Sequence, residues 1–231
     1  VAGHGLQIGA DGSTLGAEMT NVALKGITFQ SATTTNTEYA AVNIVTMTYS
    51  VIEDCKFLGG SEATYAGLGN TTIGLQIGDR TGAFGATYEL HRSNRISRCI
   101  FGTGGGRTWE FTYGLIVGDV DATSVDSRGF TATTIEDSIF ACYDRAIEMN
   151  TGAASCGMTV IRKNIITSNQ GGNGPNVGIE SNSGDTDLLC MVVDNRITAI
   201  NDCINGFSAC NCQGNIVSAG GATPDTEYQD S

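Results

Sequence analysis

The sequence predicts an all-β fold, and three observations carry it. Gly makes up 32 of 231 residues and Pro only 2. Thr, Val and Ile are plentiful, a mixture that favours strands separated by turns. No long run carries the apolar period of about 3.6 residues that a helix needs, and no capping box precedes one.

The strands come from a repeat. "GLQIG" stands at Gly5–Gly9 and again at Gly74–Gly78. Degenerate copies are "AVNIV" at Ala41, "GLIVG" at Gly114, "AIEMN" at Ala146, "GIESN" at Gly178 and "CINGF" at Cys203. Successive starts lie 36, 33, 40, 32, 32 and 25 residues apart, all within the spacing of solenoid repeats. In the first five copies positions two and four are apolar and point inward: Leu6 and Ile8, Val42 and Ile44, Leu75 and Ile77, Leu115 and Val117, Ile147 and Met149. Position three points out: Gln7, Asn43, Gln76, Ile116, Glu148, Glu180. This is the alternation of a half-buried strand.

A second motif follows each copy of the first. It reads "LKGITF" from Leu24, "IEDCKF" from Ile52, "ISRCIF" from Ile96 and "IEDSIF" from Ile135. It continues as "IRKNII" from Ile161, "VDNRI" from Val193 and "CQGNIV" from Cys212. Asp54 lies between inward Ile52 and Cys55, which predicts a kink rather than a straight strand. The inward middle position runs Ile27, Cys55, Cys99, Ser138, Asn164, Asn195, Asn215. A column of Asn here predicts an internal hydrogen-bond ladder, each amide satisfying the next.

Coils of this kind bury their apolar face only by stacking, about 4.8 Å apart, into parallel ladders. The two alternating motifs resemble the right-handed parallel β-helix of the pectate-lyase-like superfamily, from Gly5 to about Ala219. The resemblance implies a solenoid of about seven coils in one domain over residues 1–221, with a polar acidic tail over 222–231. Its members include pectate lyases, polygalacturonases, alginate-modifying enzymes and bacteriophage tailspikes.

The register makes its own test. The residue before the ladder position is Asp54, Arg98, Asp137, Lys163 and Asp194 in five successive coils, with signs that alternate. Stacked, each charge faces an opposite one; in the adjacent column Glu136 is followed by Arg162. Such pairs fix register, since a slipped coil brings like charges together.

Composition removes several functions. A net charge of −12 repels phosphate backbones and anionic membrane surfaces. No apolar run approaches the ~18 residues of a membrane span. The first residue is Val and no signal peptide is present, which reads as a processed or excised piece. Eight cysteines include no C-x-x-C pair. The cluster Cys203, Cys210, Cys212 lacks the four spaced ligands of a zinc site, so no metal is assigned and the thiols read as small core residues. His4 and His91 read as incidental.

Function is expected in long connections and outward columns. The connections are 59–72, 79–94, 102–113 and 119–133. They carry Trp109, Phe111 and Tyr113 with Arg107, and Phe84 and Tyr88 with Arg80. Aromatics on polar, Gly-rich loops suit sugar rings, which stack on one face and hydrogen-bond at the rim; the competing reading is that they cover open corners of the core. Two carboxylate pairs, Glu148 with Glu180 and Asp79 with Asp119, fall on adjacent coils. Paired carboxylates can hydrolyse a glycosidic bond and can raise one another's pKa; surface acids on an acidic protein are the competing reading. In the resembled superfamily, lyases use carboxylates to hold calcium and a basic residue to abstract a proton. Arg80 and Arg145 lie nearby, without a recognisable lyase motif, so calcium is implied only for a lyase.

The favoured expectation is a virion β-helix, tailspike or tail-fibre in character, that binds a host surface glycan and can also depolymerise it. The resemblance implies a homotrimer and a virion or extracellular location. The alternatives are a secreted polysaccharide lyase or glycoside hydrolase, and a structural spacer without a ligand.

Overall fold

The computed structural model describes residues 5–9, 20–30, 39–45, 47–59, 72–78, 91–102, 111–117, 130–149, 157–167, 175–181, 190–199, 201–207 and 210–219. Its regular structure there is all β: 22 strands among the described residues. Every pairing between them is parallel.

The first motif builds one ladder. Its strands are Leu6–Ile8, Tyr39–Ile44, Thr72–Ile77, Phe111–Val117, the C-terminal part of Ile139–Met149, Val177–Ser181 and Asp202–Asn205. Copies align as the repeat predicts: Leu6 with Val42, Leu75 with Leu115, Ile147 with Ile179.

The second motif is two strands, not one. Its first half gives a seven-stranded ladder of Ala23–Lys25, Val51–Glu53, Arg95–Ser97, Thr134–Glu136, Val160–Arg162, Met191–Val193 and Asn211–Gln213. Its second half gives Thr28–Gln30, Lys56–Leu58, Ile100–Phe101, the N-terminal part of Ile139–Met149, Ile165–Thr167, Arg196–Ala199 and Ile216–Ala219. The strand Ile139–Met149 joins the first and third ladders into one 13-stranded sheet. The sequence explains why: Phe140 and Ala146 are separated by "ACYDR" alone, so the chain runs directly from one ladder into the other.

Between the halves of the second motif sits one left-handed residue in each repeat: Gly26, Asp54, Arg98, Asp137, Lys163, Asp194 and Gly214, at φ between 50° and 65°. This is the kink anticipated at Asp54. A left-handed L-residue costs about 1–2 kcal/mol. The ladder offsets this by continuing through the corner: the Asp54 N–H donates to the Ser97 carbonyl at 3.2 Å and that of Asp194 to Gln213 at 3.0 Å. A second left-handed series, Asn21, Tyr49, Ser93, Ala132 and Met158, precedes the second ladder.

The core lies between the ladders. Phe29, Phe57, Phe101 and Phe140 stack with centroids 5.3, 4.5 and 4.5 Å apart. Offset-stacked rings of this kind contribute about 0.5–1.5 kcal/mol per pair beyond area burial. The anticipated amide ladder is present. Asn195 Nδ2 donates to Asn215 Oδ1 and to the Ile161 carbonyl, both at 3.0 Å. Its Oδ1 accepts from Asn164 N–H at 3.0 Å and Nδ2 at 3.1 Å. Ser138 Oγ and the Cys55 and Cys99 thiols extend it with bonds to backbone groups. Burial pushes the Cys99 thiol up to about 12, so it serves as an inert, weak donor rather than a nucleophile.

The charge column departs from simple alternation. All five residues occupy the same corner and are exposed. Arg98 grips Asp54 at 2.8 and 3.0 Å, but it also takes Glu53 at 2.6 Å, which in turn binds Lys25 at 3.0 Å. Among the described residues, Asp137, Lys163 and Asp194 form no ion pair, although they share the left-handed corner of Asp54 and Arg98. The adjacent column does pair as anticipated, with Glu136 between Arg162 at 2.6 Å and Arg95 at 2.8 Å. Burial alone would raise the Glu136 pKa; the two guanidiniums outweigh it and hold the carboxyl below its ordinary value.

His91, anticipated as a loop residue, is fully buried. It lies in the short strand His91–Arg92, paired with Phe130–Thr131. Its Nδ1 accepts the Met47 N–H at 3.1 Å, a structural role.

Candidate functional site

The outward column of the first ladder holds Gln7, Asn43, Gln76, Ile116, Glu148, Glu180 and Asn205, and strand register sets Glu148 beside Glu180. The pairing expected from the repeat is therefore present. Solvation is not: Asn43, Gln76 and Ile116 are fully buried, Glu148 is 4% exposed and Glu180 is 8% exposed. Alternation places these side chains outside the main core. A small second apolar cluster, Ala40, Ile73, Tyr113 and Ile116, lies on this outer face as well.

Arg145 organises the carboxylates. It stands at the next outward register, opposite Tyr113 on one side and Val177 on the other. Its Nε donates to Glu180 Oε2 and lies 3.7 Å from Glu148 Oε2. Its Nη1 donates to Asp144 Oδ2 at 2.7 Å and to the Tyr113 hydroxyl at 3.1 Å. The guanidinium carbon sits 5.6 Å from the Tyr113 ring centroid, a cation–π contact. Two amides complete the array: Asn176 Nδ2 donates to Asp144 Oδ1 at 2.6 Å, and Asn205 Nδ2 to Glu180 Oε1 at 3.0 Å.

These contacts set the protonation of Glu148. Burial raises its pKa, Arg145 opposes the rise, and the charges of Glu180 and Asp144 add to it; the carboxyl is pushed up to about 7. Burial also raises the Tyr113 phenol, which stays a neutral hydroxyl. Arg145 remains charged, with neighbouring acids outweighing the effect of its burial. The cluster thus offers a carboxyl that holds or releases a proton near neutrality, next to a fixed carboxylate–guanidinium pair and an aromatic hydroxyl.

The other anticipated residues fall differently. Phe111 is fully buried in the main core, so its ring packs against protein. Tyr113 is 8% exposed. Asp79, Arg80, Phe84, Tyr88, Arg107, Trp109 and Asp119 lie outside the described residues. Sequence reasoning passed over Asp144, Asn176 and Asn205. The signal for Asp144 was the absence of a loop before "AIEMN", which puts "YDR" on the strand itself. Among the described residues no group of three or more His, Cys, Asp or Glu side chains converges as a metal-binding set, since Arg145 occupies the centre of the acids.

Comparison of the chain with protein-family models, curated proteins and solved structures found no match.

Proposed function

We propose that the chain is a right-handed parallel β-helix of seven coils that binds a glycan on the outer face of its first ladder. We place it in a homotrimeric host-attachment protein of a virion, outside the cell. Three parallel ladders of seven strands each support the coil count. The motif resemblance supports the attachment role.

One observation carries the binding reading: the Arg145 array. It offers donors and acceptors in fixed positions on strands of consecutive repeats, with the Arg145 and Asp144 side chains 28% and 22% exposed. Sugars are recognised by oriented polar groups of this kind. Three carboxylates around one guanidinium repel a polyanion, so the glycan that fits is neutral or basic.

The test is a panel of bacterial surface polysaccharides titrated against the chain, with Asp144→Asn and Tyr113→Phe as comparisons. Loss of one charged hydrogen bond is expected to weaken binding roughly tenfold. A panel without any binding, or binding indifferent to both substitutions, overturns the reading.

Glycan cleavage is a second reading, favoured by the Glu148 carboxyl at about 7. A raised carboxylic acid beside a second carboxylate is the pair that glycoside hydrolysis uses. Depolymerising activity that survives Glu148→Gln with Glu180→Gln removes this assignment.

A further inference from the structure

One inward column of the second ladder changes chemistry at its last two repeats. The residue before each strand stacks on its counterpart, and the column runs Ser50, Asn94, Thr133, Thr159, Cys190, Cys210. Its polar side chains tie repeats together. The Ser50 N–H donates to Asn94 Oδ1 at 3.0 Å, Asn94 Nδ2 to the Met47 carbonyl at 2.8 Å and Thr159 Oγ1 to the Phe130 carbonyl at 2.9 Å. A thiol is a weaker donor and acceptor than any of these groups. The glycan site lies on the first ladder and leaves this column unused.

The two thiols are placed to bond each other. Met191 pairs with Asn211 and Val192 with Cys212, and the Asn211 N–H donates to the Cys190 carbonyl at 3.0 Å. Cys190 and Cys210 therefore stand level on neighbouring strands. Exposure alternates from each of them. Buried Cys190 is followed by exposed Met191 and buried Val192, and half-buried Cys210 by exposed Asn211 and half-buried Cys212. Both side chains thus face the core. Level residues on adjacent parallel strands are about 4.8 Å apart, within the roughly 4.4–6.8 Å between Cα atoms that a disulfide spans. Cys212 also faces inward, but two residues along the strand puts it about 8 Å from Cys190, beyond that reach. Burial and the neighbouring Cys190 push the Cys212 thiol up to about 11, which suits a packing residue.

We propose that Cys190 and Cys210 are a redox site that closes into a disulfide and staples the last described repeat to the one before it. The substrate is a small disulfide oxidant such as glutathione disulfide. The half-buried Cys210 thiolate attacks one of its sulfurs and expels a glutathione thiolate. The Cys190 thiolate then attacks the Cys210 sulfur and expels the second glutathione. Each cysteine proton ends on a glutathione, so two protein thiols become one disulfide as one disulfide becomes two thiols. Among the described residues the strand Asn211–Gln213 pairs on one side only, so a covalent tie adds most there. The bond closes a loop of about 20 residues and is expected to lower the opening of this repeat roughly a hundredfold.

The test treats the intact chain with glutathione disulfide, then alkylates, digests and maps it by mass spectrometry without reduction. A Cys190–Cys210 cross-link is expected, kept in Cys212→Ser and lost in Cys210→Ser. Ser50 occupies the same column, so the Cys210→Ser variant is compatible with the fold, as an unchanged circular-dichroism spectrum would report. Hydrogen exchange at Asn211–Gln213 should slow roughly a hundredfold in the oxidised chain and recover with dithiothreitol. Cys210→Ser should show no such change. Both thiols alkylated after oxidation, glutathione retained on Cys210, or a cross-link to Cys212 overturns the pair. A cross-link without slower exchange overturns the staple.

Discussion

Glu148 shows how a single position changes character when a repeat places it against a second acid. The same column holds Gln7 and Gln76 in earlier repeats, and an amide there has nothing to titrate. Replacing it with a buried carboxyl next to Glu180 and Asp144 raises the pKa from 4.5 to about 7. The sign of the stability effect follows. Below the unfolded value both states hold the proton. Between 4.5 and about 7 the unfolded chain releases it while the native chain retains it, so stability falls as pH rises through that window and is flat above it. The full shift corresponds to at most about 3 kcal/mol. Glu148→Gln removes the slope. We expect urea denaturation to find the variant more stable than wild type by about 1–3 kcal/mol at pH 8, with the difference vanishing toward pH 4. A difference independent of pH would show that burial and the neighbouring acids do not govern this group. The register of Glu148 on Glu180 was legible in the sequence, because a repeat with period-2 alternation fixes which residues stack. Burial was not legible, because alternation only says that a side chain leaves the main core. Nor was the Arg145 bridge, which depends on how far a flexible side chain reaches across two strands.

Within the second motif, two strands and a corner are held by an internal amide in each of the last three repeats, Asn164, Asn195 and Asn215. Asn195 bonds to the repeats on both sides of it, and Ala at this position strands the Asn164 backbone N–H and removes the side-chain donor to the Ile161 carbonyl, while the Asn164 amide keeps only its bond to the Ile135 carbonyl. Each buried group left unsatisfied costs about 1–3 kcal/mol. We therefore expect Asn195→Ala to destabilise the chain by about 2–4 kcal/mol in thermal or urea unfolding. Asn195→Asp turns a buried carboxylate oxygen toward the Ile161 and Asn215 oxygens and should cost at least as much as Ala at neutral pH; a smaller loss would mean that the donor bonds contribute little. This element was readable in advance because a column of Asn at an inward position has few other solutions. The left-handed corner was not readable as such. Arg98 and Lys163 adopt it at φ 51° and 55° although neither favours that region, whereas Gly26 and Gly214 match local preference and Asp54, Asp137 and Asp194 tolerate it. Tertiary stacking imposes the conformation, and the repeat with its broken alternation was the sole trace of it in the sequence. The alternating charges reported the correct corner but not the pairing, since Arg98 divides its bonds between Asp54 and Glu53.

For the molecule as a whole, stability is built from contacts between neighbouring repeats. Each strand pairs with the one above and the one below, and the polar columns, the phenyl stack and the ion pairs all run in the same direction. In such a quasi-one-dimensional chain, an interior repeat is held by two interfaces and an outer one by a single interface. The burial gradient follows this order. Along the inward amide column, Ile27 is 39% exposed at one end of the described repeats, while Cys55, Cys99 and Ser138 are at most 1% exposed. At the other end, Asn215 is only partly buried and Ile216 beside it is 70% exposed. Local opening should therefore begin at both outer repeats and reach the middle last. Native-state hydrogen exchange is expected to give the slowest amides on Arg95–Ser97, Thr134–Glu136 and Ile139–Met149, near the global unfolding free energy. Protection should decline stepwise toward Leu6–Ile8 and Ile216–Ala219. Uniform protection from the first described repeat to the last would mean instead that the ladders open as one unit, with coupling between repeats far stronger than nearest-neighbour stacking supplies.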